Sequence, residues 1–180
     1  MALARFTLWN FEPRVRITSF CSAHMGIRPV GYFYNGESHD FWEAVFILKG
    51  TAGITAGETV YTLSQGQMIF HPPGEFHRLW NNGNEFLRIA IVSFGADAFP
   101  IDRHRIYSFS SIDRVFASVR SIRRLFETDG IFVVGMRDGT NESDAQKAVM
   151  ELEALFLDIL DQRIDDDGLI KKDRLSERYS

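Results

Sequence analysis

Two stretches of this chain hold acids, imidazoles and glycines at spacings that could bring four metal-class ligands together. The first places Gly31, Glu37, His39, Glu43 and Gly50 in the pattern G-x5-E-x-H-x3-E-x6-G. The second places Gly66, Pro72, Gly74, His77 and Asn81 in the pattern G-x5-P-x-G-x2-H-x3-N. Side chains alternate along a strand, so Glu37, His39, Phe41 and Glu43 share one face of an unbulged strand. His77 would then arrive from a facing strand, and the set offers two carboxylates and two imidazoles. Such a mixed oxygen and nitrogen set suits Zn²⁺, Mn²⁺, Fe²⁺ or Ni²⁺. Two carboxylates reduce the net positive charge at a bound cation and make it a weaker Lewis acid, which disfavours catalysis but not binding. The same residues also have an ordinary reading, with His77 a structural hydrogen-bonder beside a Pro-Gly turn and Glu43 paired with an arginine such as Arg88.

Positioning these residues requires short strands and tight turns. Turn residues recur every eight to twelve positions between about Phe6 and Phe94, which predicts a sandwich or barrel. The expected strands are Arg14–Phe20, Val30–Tyr34, Phe41–Leu48, Ala52–Thr55, Thr59–Leu63, Gln67–His71, Phe76–Trp80 and Phe86–Phe94. Ala56-Gly57-Glu58 can close a hairpin, Pro72-Pro73-Gly74 makes a rigid corner, and Asn82-Gly83 favours a tight hairpin. Beyond Asp102 the period changes. Ile112, Val115, Phe116, Val119, Ile122 and Phe126 predict an amphipathic helix capped at Ser110 and ended by Gly130. A second helix is expected over 144–164, with Ser143 as N-cap. Its apolar positions Ala145, Val149, Leu152, Phe156 and Ile159 suit a two-helix seam, with Leu155 and Leu160 widening the stripe toward the barrel or a second subunit. The run Ile131–Val134 between the helices stays unassigned.

The 180 residues suffice for one well-packed unit with an appendage, and 16 Phe suit a barrel lined by rings. A net charge of −4 leaves no basic footprint for nucleic acid. One cysteine, Cys21, excludes an internal disulfide and reads as a small buried hydrophobe. No run is long and apolar enough to span a membrane, and charges interrupt the first twenty residues, so a cytoplasmic protein is expected. His24, His71 and His104 fall outside the two patterns and read as packing or surface residues. Trp9, Trp42 and Trp80 read as core or interface, and Arg120, Arg123 and Arg124 as a solvated face. No nucleophile elbow, phosphate-binding glycine loop or zinc-finger cysteine pairing is present.

The two spaced patterns resemble the paired motifs of the cupins, with Glu37 standing where that family has a histidine. The resemblance implies a mainly β fold, a double-stranded β-helix or jelly-roll barrel, followed here by two C-terminal α-helices. It implies metal ligation by Glu37, His39, Glu43 and His77. The segments His39-Asp40-Phe41-Trp42-Glu43, Leu48-Lys49-Gly50 and Pro72-Pro73-Gly74-Glu75-Phe76-His77 resemble more narrowly the effector-binding and dimerisation domain of AraC-type transcription regulators. That likeness implies a barrel sensor over residues 1–100, a helical dimerisation appendage over 101–168, and a linker over 169–180 toward a DNA-binding domain absent from this chain. It implies a sugar-like effector held by Glu37, His39, Phe41, Glu43, His77 and Leu79, together with inward positions on Phe86–Phe94. A homodimer would form through Val149, Leu152, Phe156 and Ile159, with DNA engaged only through the absent domain and no catalysis. The rival expectation is a metal-dependent cupin enzyme of dioxygenase or sugar isomerase type.

Overall fold

The computed structural model describes residues 7–101 and 106–162. His104, the end of the second expected helix and the 169–180 segment lie outside these residues. The elements run β1 (Arg16–Arg28), β2 (Trp42–Lys49), β3 (Thr51–Ala56), β4 (Thr59–Ser64), β5 (Gln67–His71), β6 (His77–Asn81), β7 (Leu87–Ala98), β8 (Ile106–Ser108), α1 (Ile112–Leu125), β9 (Phe126–Asp129), β10 (Phe132–Met136) and α2 (Glu142–Leu160). A seven-stranded sheet in the order β8-β5-β2-β7-β1-β10-β9 faces a three-stranded sheet in the order β4-β3-β6. Every pairing is antiparallel. The fold is mainly β, a jelly-roll barrel followed by two C-terminal helices.

Strand alternation divides the interior into two cores. Val45 and Ile47 of β2, Ile69 of β5 and Leu87 and Ile89 of β7 meet Ala52, Ile54, Leu63 and Leu79 of the small sheet inside the barrel. The intervening residues Ala44, Phe46, Leu48, Phe70, Val92 and Phe94 form a second core on the outer face of the large sheet. Strands buried on both faces read as unbroken apolar runs, as the β2 segment Ala44–Leu48 does. The outer core is where the helices dock. Val115, Val119 and Ile122 of α1 join Ala148, Leu152, Leu155, Phe156, Ile159 and Leu160 of α2 against the sheet. Phe156 stacks among Phe46, Phe70, Phe94 and Phe99, with ring centroids 5.2–6.5 Å apart.

This packing corrects the expected dimer seam. Leu152, Phe156 and Ile159 are buried inside this chain's own core, and Val149 packs against that core, so their apolar faces are turned away from any partner. The wide stripe on α2 covers the barrel.

Several local expectations also change. β1 continues to Arg28, Val30–Tyr34 keeps only an isolated bridge from Phe33 to Trp80, and Ile131–Val134 falls on the β9–β10 hairpin, which extends the large sheet beside β1. α1 gives way to β9 at Phe126, before Gly130. The helix caps are Ser111, accepting from the Arg114 amide at 3.3 Å, and Asn141, accepting from the Asp144 amide at 3.0 Å. Gly57 closes the β3–β4 hairpin at φ 60, whereas Asn82-Gly83 leads from one sheet to the other, because β6 and β7 are not paired. Trp9 is exposed, while Trp42 turns to the outer core and packs on Phe99 at 4.9 Å.

Candidate functional site

One row of the large sheet carries the site. The register sets His71 of β5 opposite Glu43 of β2, Glu43 opposite Ser93 of β7, and Ser93 opposite Ser22 of β1. All four side chains face the barrel interior and line its cavity. The Ser93 hydroxyl donates to Glu43 Oε2 at 3.2 Å, and Ser22 Oγ lies 2.9 Å from Ser93 Oγ. Glu43 is therefore held from behind by a buried hydroxyl pair, and does not meet the exposed Arg88.

The other donors come from the facing wall and the loop before β2. Glu37 and His77 bridge through paired main-chain hydrogen bonds of 3.0 Å each. The Pro72-Pro73-Gly74 corner turns at Gly74, φ 81, and the Gly74 amide donates to the His39 carbonyl at 2.7 Å. That contact ties the loop carrying His39 to the turn carrying His77. Positive φ is the geometry that glycine adopts without strain, so the corner depends on this residue type.

The expected quartet is assembled. Glu37, His39, Glu43 and His77 each offer a ligand atom, and these atoms all lie within 4.8 Å of one another. His77 Nε2 is 3.4 Å from Glu43 Oε1 and 4.0 Å from Glu37 Oε1, and His39 Nε2 is 3.7 Å from Glu43 Oε2. His39 Nδ1 faces the Phe41 carbonyl and His77 Nδ1 faces the Glu75 carbonyl, each at 3.0 Å. A carbonyl oxygen only accepts, so both Nδ1 atoms carry the proton and both Nε2 atoms point into the cluster. Neither buried Nε2 has a hydrogen-bond partner.

Two neutral Nε2 lone pairs facing a carboxylate are electrostatically unfavourable. The conflict is relieved by protonating the rings or by a divalent cation among them. The residues present fit a cation: two orphaned buried nitrogens, two carboxylates, and main-chain carbonyls behind each imidazole in the manner of metal-ligating histidines. Burial alone would raise the Glu43 carboxyl. Close side-chain contacts with His39 and then His77, and after them the charge interactions of His77 and His71, outweigh that penalty and hold Glu43 well below the usual carboxylate range.

Aromatic rings shape the rest. Phe41 stacks on His39 at 3.9 Å, and His71 stacks on His77 at 4.2 Å while meeting Glu75 at 2.9 Å. Burial first, and Glu37 second, push the Tyr34 phenol up to about 12, so it stays a hydrogen-bond donor beside Glu37. Burial and nearby carboxylates likewise raise the Cys21 thiol, which keeps it protonated.

The cavity volume is about 210 Å³, a size that suits a monosaccharide-sized ligand. All six expected ligand-contact residues line it, Leu79 included, as do Ile89, Ile91 and Ser93 of β7. Motif spacing did not mark Ser22, His24, Arg28, Tyr32, Tyr34 or His71, which line it too. Their signal is cross-strand register, which links segments distant in sequence.

The family model of the cupin domain matches residues 25–93. Among curated proteins, mannose-1-phosphate guanylyltransferase RfbM of Salmonella typhimurium is 28% identical over 95 residues, 53% of this chain and 20% of that protein. The chain thus spans one fifth of that relative. Similar solved structures include the cupin domain of Schizosaccharomyces pombe Cnp3, at 21% identity, 49% and 57% coverage and a TM-score of 0.41. A cupin protein from Bacteroides fragilis gives 14% identity, 56% and 92% coverage and a TM-score of 0.42. DMSP lyase DddQ from Ruegeria pomeroyi gives 25% identity, 43% and 47% coverage and a TM-score of 0.36. The span that the cupin family model matches contains both paired motifs and the strands that hold them in the jelly-roll barrel.

Proposed function

We propose that this chain is the effector-sensing and dimerising part of an AraC-type transcription regulator, and that its cupin barrel binds a small, hydroxyl-rich, sugar-like molecule. The carrying observation is the convergence of the H-D-F-W-E and P-P-G-E-F-H segments on one cavity of about 210 Å³. That cavity combines two carboxylates and two imidazoles with the ring face of Phe41. Hydroxyl groups suit this lining, because they donate to the carboxylates and to the unprotonated Nε2 atoms of His39 and His77. The similarity to a mannose-1-phosphate guanylyltransferase accords with a sugar-like ligand. Effector binding would shift the population of dimer geometries and so act on DNA through a domain outside this chain.

The second reading is a metal-dependent cupin enzyme of dioxygenase or sugar isomerase type, favoured by the two orphaned Nε2 atoms. Glu37, His39, Glu43 and His77 would hold the ion, and a bound Zn²⁺, Mn²⁺, Fe²⁺ or Ni²⁺ would supply Lewis acidity. One pair of measurements separates the readings. Calorimetric titration with neutral pentoses and hexoses, before and after chelation, should give saturable binding that His77→Ala weakens at least tenfold. Elemental analysis of protein purified without added metal tests the rival. Stoichiometric metal that His77→Ala removes, with no sugar bound in either state, would overturn the sensing reading.

A further inference from the structure

The cavity has a second end, and its chemistry differs from the first. Along the cavity face of β1, the register sets Ser22 opposite Ser93, His24 opposite Ile91, Gly26 opposite Ile89 and Arg28 opposite Leu87. Ser22, His24 and Arg28 all line the cavity. The Arg28 side chain does not run out along the strand. It folds back so that its guanidinium lies over Gly26, where an added methyl would collide with Nη1 and sit 3.0 Å from Cζ. The missing side chain at Gly26 therefore makes the berth for the guanidinium. Tyr32 also contacts it, with its ring centroid 5.0 Å from Cζ.

This arrangement leaves the donors unused. The contact with Tyr32 is of the cation–π kind and uses none of the guanidinium N–H groups as hydrogen-bond donors to a polar acceptor. Arg28 Nε is buried without a hydrogen-bond partner, and Nη1 has only a 3.4 Å contact to the Ile27 carbonyl. His24, between this head and the metal-class cluster on the same strand face, also has a buried Nδ1 without a partner. The two acids in the cavity are engaged elsewhere, Glu43 with His39, His77 and Ser93, and Glu37 with His77 and Tyr34. A buried donor on a charged group is costly to leave unpaired, and a planar fork matches a carboxylate or phosphate edge.

We infer that the barrel takes an anionic, hydroxyl-bearing ligand of the sugar-acid or sugar-phosphate class, with its acid group on the Arg28 guanidinium and its hydroxyls toward Glu37, Glu43, His39 and His77. This inference rests on the effector-binding reading and narrows it to charged ligands. The test uses matched pairs in calorimetry, with zinc present and after chelation: D-galacturonate against D-galactose, and D-mannose 1-phosphate against D-mannose. The charged member of at least one pair should bind at least tenfold tighter, and the pair that responds identifies the anion. Arg28→Met should bring that pair to within about twofold. Gly26→Ala should do the same while leaving the thermal midpoint nearly unchanged, because the added methyl displaces only the end of a flexible side chain. Equal binding of charged and neutral members, or a charged preference that survives both substitutions, would overturn the inference and leave the sensing reading intact. Failure of both acids to bind also overturns it, and the neutral-sugar titrations above then decide separately whether the barrel binds effectors at all.

Discussion

His24 sits where the two ends of the cavity meet, and its environment makes a pH prediction. Burial is the largest influence and lowers its pKa from the usual 6.5. Glu43 and Glu37 pull it back up, while Arg28 and Arg123 push it further down. Below pH 6.5 the unfolded chain takes up this proton more readily than the folded one. His24 therefore withdraws stability as pH falls through the window between that value and its lower folded pKa, and withdraws none above it. Thermal melts of wild type and His24→Gln should converge or cross as pH drops from about 7.5 to about 5.5, the wild type losing more. Parallel profiles would mean the ring titrates normally in the folded state. Glu37, His39 and Glu43 were legible in the sequence because they lie at short alternating spacing. His77, 34 positions beyond Glu43, was joined to them only through the likeness of both segments to the paired cupin motifs. His24 was not legible, nor were Ser22, Ser93 and His71 as one row with Glu43. Their proximity follows from pairing β1, β7, β2 and β5 in one register, and no local pattern encodes that.

At the scale of elements, the fold rests on how α2 closes the outer face of the large sheet. Phe156 is fully buried, and its ring meets four others from β2, β5, β7 and the loop beyond β7. Phe156→Ala removes that packing at a site where the surrounding strands cannot collapse into the gap. It should cost about 3–5 kcal/mol in urea unfolding. Met150→Ala, on the exposed side of the same helix, should stay within about 0.5 kcal/mol. A loss at Phe156 no larger than that control would mean α2 is not docked on the sheet. Most strands from β2 to β6 were readable to within a residue or two, because Gly57 and Pro72-Pro73-Gly74 punctuate them. The ends were harder. Adjacent capping residues compete, as Ser110 does with Ser111, and β9 and β10 are too short and too exposed to announce themselves. The apolar stripe on α2 was also legible, but periodicity gives only its width. Whether a barrel or a second subunit covers it depends on tertiary packing.

The whole molecule then poses the question of what a second copy would touch. With Leu152, Phe156 and Ile159 committed to the barrel, a homodimer formed through this helix must use what remains exposed on it. Met150 and Leu157 are two turns apart and face away from the core, at 59% and 36% exposure. A pair seven residues apart recurs on one helical face, the arrangement that a two-helix contact needs. The competing surface is the β9–β10 hairpin, where Phe132, Val134 and Met136 are exposed beside β9, the edge strand of the large sheet. Sedimentation velocity across about 1–100 µM spans the range where a moderate dimer would assemble. Met150→Glu with Leu157→Glu should raise the dimer dissociation constant at least tenfold, and Val134→Glu should leave it within about twofold. The reverse result would move the interface to the hairpin, which pairs with β1 and so adjoins the strand that carries Ser22, His24 and Arg28. In that arrangement the cavity and the subunit contact would share one strand, whereas a helix-mediated dimer would sense a bound ligand through the outer core around Phe156. The double variant therefore tests both the interface and the route by which a bound ligand reaches it.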